Sequence, residues 1–231
     1  MRDEVNPSPT APWSRRHLVT TDLGTPVTTE DGFRVVVVNT ESSEEVRDLA
    51  SLRRDLELAR TYANAFAVFD RSELTNSRDP RLALWSAAIV QYGRAFNTGV
   101  RQARLDSSSL EGALMEAHNY FLDLRNKHVA HAVNDYEHTI VVAYLTDSSF
   151  AQRAVTRTGQ VHAEILSCDE GDPETLAQLA EHFTKIINRR LWVLHEAIGR
   201  ELHELGEAAV YALEDLVVPS PQRAKVGKRR R

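Results

Sequence analysis

The chain of 231 residues contains a single cysteine, Cys168. One thiol closes no intrachain disulfide and builds no cysteine-based zinc cage. Such sparing use of cysteine fits a reducing compartment, and a cytoplasmic setting is expected. No apolar run approaches the roughly eighteen residues of a membrane span, so none is expected. The opening stretch MRDEVNPSPTAPWSRRH lacks the apolar centre of a secretory signal, and no such signal is expected. A glycine-rich phosphate loop, HExxH and GxSxG are all missing. The common nucleotide-binding, zinc-protease and hydrolase signatures are therefore excluded. No internal repeat is visible that would make the chain a solenoid.

What is present starts with an uneven charge. The net charge of −5 does not by itself suggest a nucleic-acid binder. Yet the last eleven residues, PQRAKVGKRRR, hold six Lys or Arg and no acid, which leaves −11 on the rest of the chain. Residues 218–231 are expected to be a disordered basic tail, free to meet nucleic-acid phosphates, meet a partner or do neither. Residues 1–32 have no period and are rich in Pro, Thr and charge, which predicts a flexible arm. Between them, 33–217 has the apolar content to bury a core, hydrophobic residues being 42% of the whole chain.

Four amphipathic helices are predicted. Ser42 and Glu45 have capping-box spacing before the first, whose seam is Leu49, Leu52, Leu56, Ala59, Ala63 and Phe66. The second opens at Asp79-Pro80 with the seam Leu82, Trp85, Ile89, Tyr92 and Phe96. Arg94 and Arg101 fall on the opposite face from Trp85 at about 100° per residue, as a solvated face or a phosphate or partner surface. The third opens at Ser108 and Glu111, another capping-box spacing, with the seam Leu110, Leu114, Ala117, Phe121, Leu124, His128 and His131. The fourth opens at Asp172-Pro173 and keeps its seam to about Leu213, with Gly199 or Gly206 as break points. Its far end is long enough to reach a second subunit.

Between helices three and four the period changes. HTIVVAYL, QRAVTRT and QVHAEILS read as three short antiparallel strands over about 138–166, with turns at Asp147–Ser149 and Gly159. FRVVVV at 33–38 is a further strand, able to join them. The expected fold class is mainly α: a four-helix bundle with a small antiparallel β meander inserted between helices three and four.

The chemistry concentrates in RNKHVAH, residues 125–131. If the helix persists, Arg125, His128 and His131 span a sector of about 120°. Arg grips a phosphate with two N–H groups, and His passes a proton near neutral pH. RNA brings its own nucleophile, the 2′-hydroxyl, so one Arg and one His suffice to cut it without a metal. Against this stand structural readings: an Arg125 pair with Asp123, Asp135 or Glu137, a core role for His128, and a dipole-favoured place for His131. His118, His128 and His131 have only Glu111 and Asp123 at helical spacing to help hold a metal, and no metal or cofactor is expected.

Arg125, five residues and His131 match the R-x(4–6)-H motif of the HEPN superfamily, with Asn126 as the polar residue after the arginine. LRNKHVAH, after VQYGRAF on a preceding helix, resembles abortive-infection-type HEPN proteins over about 44–215. The resemblance implies a helical bundle and a metal-independent endoribonuclease with a role as a toxin or in phage defence. It implies a homodimer with two motifs lining one cleft, an RNA substrate, and an antitoxin or regulatory partner. Arg125 and His131 would be the active pair, with Asn126 and His128 supporting. Tyr92 and Arg94 are candidates for the cleft wall, Tyr92 being otherwise a core residue. In many family members helix follows the motif directly, whereas strands are predicted here. A non-catalytic helical dimerisation or interaction module is the alternative.

Overall fold

The computed structural model describes residues 18–19, 26–29, 33–69, 78–96, 101–126, 137–147, 149, 154–164 and 168–217. Helix dominates: α1 (Glu41–Val68), α2 (Arg78–Phe96), α3 (Gly112–Leu124), α4 (Asp172–Leu205) and the short α5 (Glu207–Tyr211). Two antiparallel pairs accompany them, β1 (Leu18–Val19) with β2 (Thr28–Thr29), and β3 (Glu137–Leu145) with β4 (Val155–Glu164). Among the described residues no helix is long and apolar enough to cross a membrane. The chain divides into two compact units, Leu49–Ile187 and the residues on either side of it.

The Leu49–Ile187 unit follows the predicted seams closely. Leu49, Leu52, Leu56, Ala59, Ala63 and Phe66 of α1 are all buried. On α2, Trp85, Ile89 and Tyr92 are buried, and Leu176, Leu179, Phe183 and Ile187 of α4 join the core. Trp85 stands 5.5 Å from the Phe66 ring and 5.9 Å from Phe121, edge-on to the latter. Such pairs add about 0.5–1.5 kcal/mol beyond area burial. Arg81 closes the end of α1, donating to the carbonyls of Phe66 at 3.1 Å and Phe69 at 2.9 Å. It thereby meets carbonyls that the helix end leaves without intrahelical partners.

On α3 the phase differs from expectation. The helix begins at Gly112, with no side-chain cap, because Ser108 turns back to Asp106 through both its N–H and its hydroxyl. Leu114 then lies exposed in the first turn, while His118, Phe121 and Leu124 face inward. The Ser42–Glu45 capping box is also not formed. Ser42 donates to Glu201 at 2.6 Å, and Glu45 receives a two-pronged Arg190 at 2.7 and 2.8 Å.

Among the described residues a two-stranded ribbon stands where the three-stranded meander was expected. QRAVTRT and QVHAEILS contribute to one continuous strand, β4, which pairs Ile140 with Val161 and Val142 with Gly159. Gly159 is therefore mid-strand and not a turn. Its missing side chain leaves room for the Tyr144 ring, whose Cε2 would lie 3.1 Å from an added Cβ. Arg157 covers the same ring at 4.4 Å.

The other unit is stitched by backbone pairing. FRVVVV does not join the ribbon. Leu216 N–H donates to Val35 at 2.8 Å, Val37 N–H to Glu214 at 2.8 Å, and Val27 N–H to Leu216 at 2.8 Å. Arg34 explains this partner. Its guanidinium ion-pairs with Asp215 and donates to the carbonyls of Tyr211 at 2.7 Å and Leu213 at 2.8 Å, at and just past the end of α5. The pairings of 18–19 and 26–29, with Val27 buried, lie within the segment read as an arm. Of the two candidate glycines, Gly206 ends α4: its φ of 85° is open to glycine and strained for other residues. Gly199 stays helical.

Candidate functional site

The motif begins where α3 ends. Arg125, just past Leu124, keeps helical backbone angles, and the turn widens to a π turn at 125–126. Asn126 is exposed, and its Oδ1 accepts from Arg125 Nη1 at 2.8 Å. His128 and His131 lie outside the described residues, as does Asp135. Among the described residues Arg125 makes no ion pair.

α2 provides the seat for that arginine. A Cβ on Gly93 would meet Arg125 Cγ at 2.8 Å and Cδ at 3.1 Å. The arginine stem thus lies directly on the helix backbone, and any larger residue at 93 would force it to shift. This contact joins the two quoted stretches, VQYGRAF and LRNKHVAH. The sequence marks it only by a lone Gly inside a helical pattern, where helix propensity alone disfavours glycine by about 1 kcal/mol.

One position before Gly93, Tyr92 is buried and its hydroxyl lies 2.7 Å from His118 Nδ1. His118 is only 3% exposed and is ringed by Tyr92, Phe96 and Phe183. Burial lowers the His118 pKa and raises that of Tyr92, so both are neutral near pH 7. The phenol hydroxyl and Nδ1 thus share a hydrogen bond between neutral groups. Tyr92 hence spends its hydroxyl inside the core.

Arg94, the other candidate for a cleft wall, reaches Asp55 on α1 at 3.4 Å. Arg101 lies beyond the end of α2, not on the helix face expected for it, and meets the same carboxylate at 2.7 Å. It also donates to the Arg94 carbonyl at 3.4 Å. Asp55 is 4% exposed. A carboxylate so buried demands cationic partners, since an unpaired buried charge costs several kcal/mol. Sequence reasoning missed it; the only mark was an acid flanking Leu56 on the apolar seam.

Cys168 is half-buried, and desolvation with Asp172 nearby pushes its thiol up to about 12. It stays protonated and is no thiolate nucleophile. A cavity of about 170 Å³ lies in the other unit, between Val37, Val38, Thr40, Leu202, Leu205 and Leu213. It is below the range of roughly 300–1,000 Å³ usual for ligand pockets. Among the described residues no three His, Cys, Asp or Glu side chains converge as a metal would need.

No protein-family model, curated protein or solved structure matches the chain.

Proposed function

We propose that the protein is a metal-independent endoribonuclease of HEPN type, acting as a toxin or in phage defence, with Arg125 and His131 as its active pair. The observation that carries this is the seating of Arg125. Its stem is laid on Gly93, its head touches Asn126, and it has no ion pair among the described residues. An arginine held this way is oriented before any ligand arrives, which suits an anionic phosphodiester. His131 takes the proton of the ribose 2′-hydroxyl. The 2′-oxygen bonds to phosphorus, the P–O5′ bond breaks, and His131 hands the proton it took to the leaving 5′-oxygen. The products are a 2′,3′-cyclic phosphate and a 5′-hydroxyl. Arg125 neutralises charge on the non-bridging oxygens, and Asn126 supports it, with His128 beside them in the motif. A cytoplasmic homodimer, an RNA substrate and an antitoxin or regulatory partner belong to the same proposal.

The alternative, a non-catalytic interaction module, draws on a different observation. Arg94 and Arg101 turn toward Asp55, so two cations that would serve a phosphate surface are engaged internally. Incubation of the purified protein with RNA in a chelator separates the readings. Cleavage by the wild type, reduced roughly 10²–10⁴-fold in Arg125→Ala and His131→Ala, supports the enzyme. Equal cleavage by all three, or none by the wild type, favours the module.

A further inference from the structure

Arg125 has a counterpart on the ribbon. Register sets Tyr144 of β3 opposite Arg157 of β4, and Val142 opposite Gly159. Cross-strand pairs two residues apart share a face, so Tyr144, Arg157 and Gly159 lie together, with Ile140 and Val161 beside them. The glycine lets the Tyr144 ring lie down on the neighbouring strand, with its Cε2 3.1 Å from where a Cβ would stand. The Arg157 guanidinium covers that ring at 4.4 Å. The ring attracts the cation, and the stack narrows the orientations open to a long exposed side chain.

Arg157 is the one charged residue in 140–145 and 155–161, so no carboxylate of these stretches repels an anion. Among the described residues it makes no ion pair. Tyr144, Ile140 and Val161 are exposed around it. A cation, a flat group and an apolar flank on one face suit a single nucleic-acid strand, whose phosphate meets the cation and whose base lies on the flat group. An acidic peptide offers carboxylates but no flat face for the guanidinium plane. Chain order adds a reason of place. β3 begins six residues after His131, a span of at most about 22 Å. RNA held at the motif therefore lies near the start of the ribbon.

We propose that the Arg157–Tyr144 stack is a binding site for single-stranded RNA, separate from the cleaving pair. The guanidinium edge takes one phosphate, and the guanidinium plane takes one base. Tyr144 is the positioning residue for Arg157, and Ile140 and Val161 flank the base. An unpaired base is required, so the site selects single strands over duplex. The site rests on RNA as the substrate of the Arg125 motif and gives that substrate a second point of hold.

Binding of the full chain to 2′-O-methylated RNA, which cannot be cut through its 2′-hydroxyl, tests it over a range of salt. The probe is a single strand of about 12 nucleotides, inside the roughly 4–16 that such sites span. Arg157→Gln is expected to weaken binding on the order of tenfold and to lower the slope of log affinity against log salt by about 0.7. Tyr144→Leu is expected to weaken binding and keep the slope, because the charge remains. Val141→Thr, on the opposite face, is expected to bind like the wild type. The same RNA as a duplex is expected to bind independently of Arg157. A wild type that binds no RNA overturns the proposal. So does an Arg157→Gln that binds like the wild type, a Val141→Thr that loses as much as Arg157→Gln, or an Arg157 dependence seen only with poly-glutamate. The two readings fail separately. Arg157-dependent binding by a protein that cuts no RNA removes the nuclease and leaves this site, and cleavage with binding indifferent to Arg157 does the reverse.

Discussion

Trp85 and Val141 belong to the same unit and to similar apolar runs, yet Trp85 is 2% exposed and Val141 80%. The difference lies in period. A helix seam gathers its apolar residues on one stripe, and the neighbouring helices of the unit bury that stripe. A strand divides its apolar residues between two faces, and a ribbon of two strands has nothing of its own to cover either. The helical part thus meets its burial needs within one chain, whereas the ribbon leaves its apolar side chains exposed. Polar groups divide in the same way. Asp55, His118 and Tyr92 are paired inside the helices, and Arg125, just past α3, donates to the exposed Asn126.

The largest test of this contrast is Trp85→Ala. It is expected to destabilise by about 3–5 kcal/mol in denaturant unfolding. Val155→Thr on the exposed ribbon is expected to stay within about 0.5 kcal/mol. A ribbon effect as large as that of Trp85 would break the comparison. Next comes Arg101→Ala, which leaves the buried Asp55 carboxylate to the longer contact with Arg94. A loss of roughly 3 kcal/mol is expected, and Asp55→Leu in the same background should recover part of it.

Gly93→Ala sharpens the account of the Arg125 seat. An added methyl against the arginine stem should cost about 1–3 kcal/mol. With Arg125→Ala the clash disappears and better helix propensity should leave a gain of roughly 0.5–1 kcal/mol. A cost that persists without Arg125 would show that the glycine answers to something else.

The smallest effect concerns the buried ring pair. Tyr92→Phe leaves the buried His118 Nδ1 without its partner and should cost about 1–2 kcal/mol. Burial holds the His118 pKa below its ordinary 6.5, so the unfolded chain binds the proton first as pH falls. The contribution is fully present above about 6.5 and is lost as pH drops toward the folded value. Replacing His118 by Leu should flatten that part of the stability–pH curve, and an unchanged curve would contradict the burial argument.

Legibility in the sequence followed the range of the interaction. The seams of α1, α2 and α4 were readable because burial at steps of 3 and 4 is a local pattern. Capping boxes were not reliable, because Ser42 and Glu45 found Glu201 and Arg190, partners far along the chain. FRVVVV was recognisable as extended chain, but its partner at 214–217 depends on what Arg34 reaches. Gly159 read as a turn because its role, room for the Tyr144 ring, comes from another strand. At the site, Arg125 and Asn126 were legible as a motif. The seat on Gly93 and the pull of Asp55 on Arg94 and Arg101 were not, since each joins separate helices.

The central claim is that Arg125 and His131 cut RNA through its own 2′-hydroxyl. Its most direct test offers the protein one RNA sequence in two forms, natural and 2′-O-methylated, in a chelator. The account predicts cleavage of the natural form to 2′,3′-cyclic phosphate ends and none of the methylated form. Cleavage of both, or of neither, would contradict it.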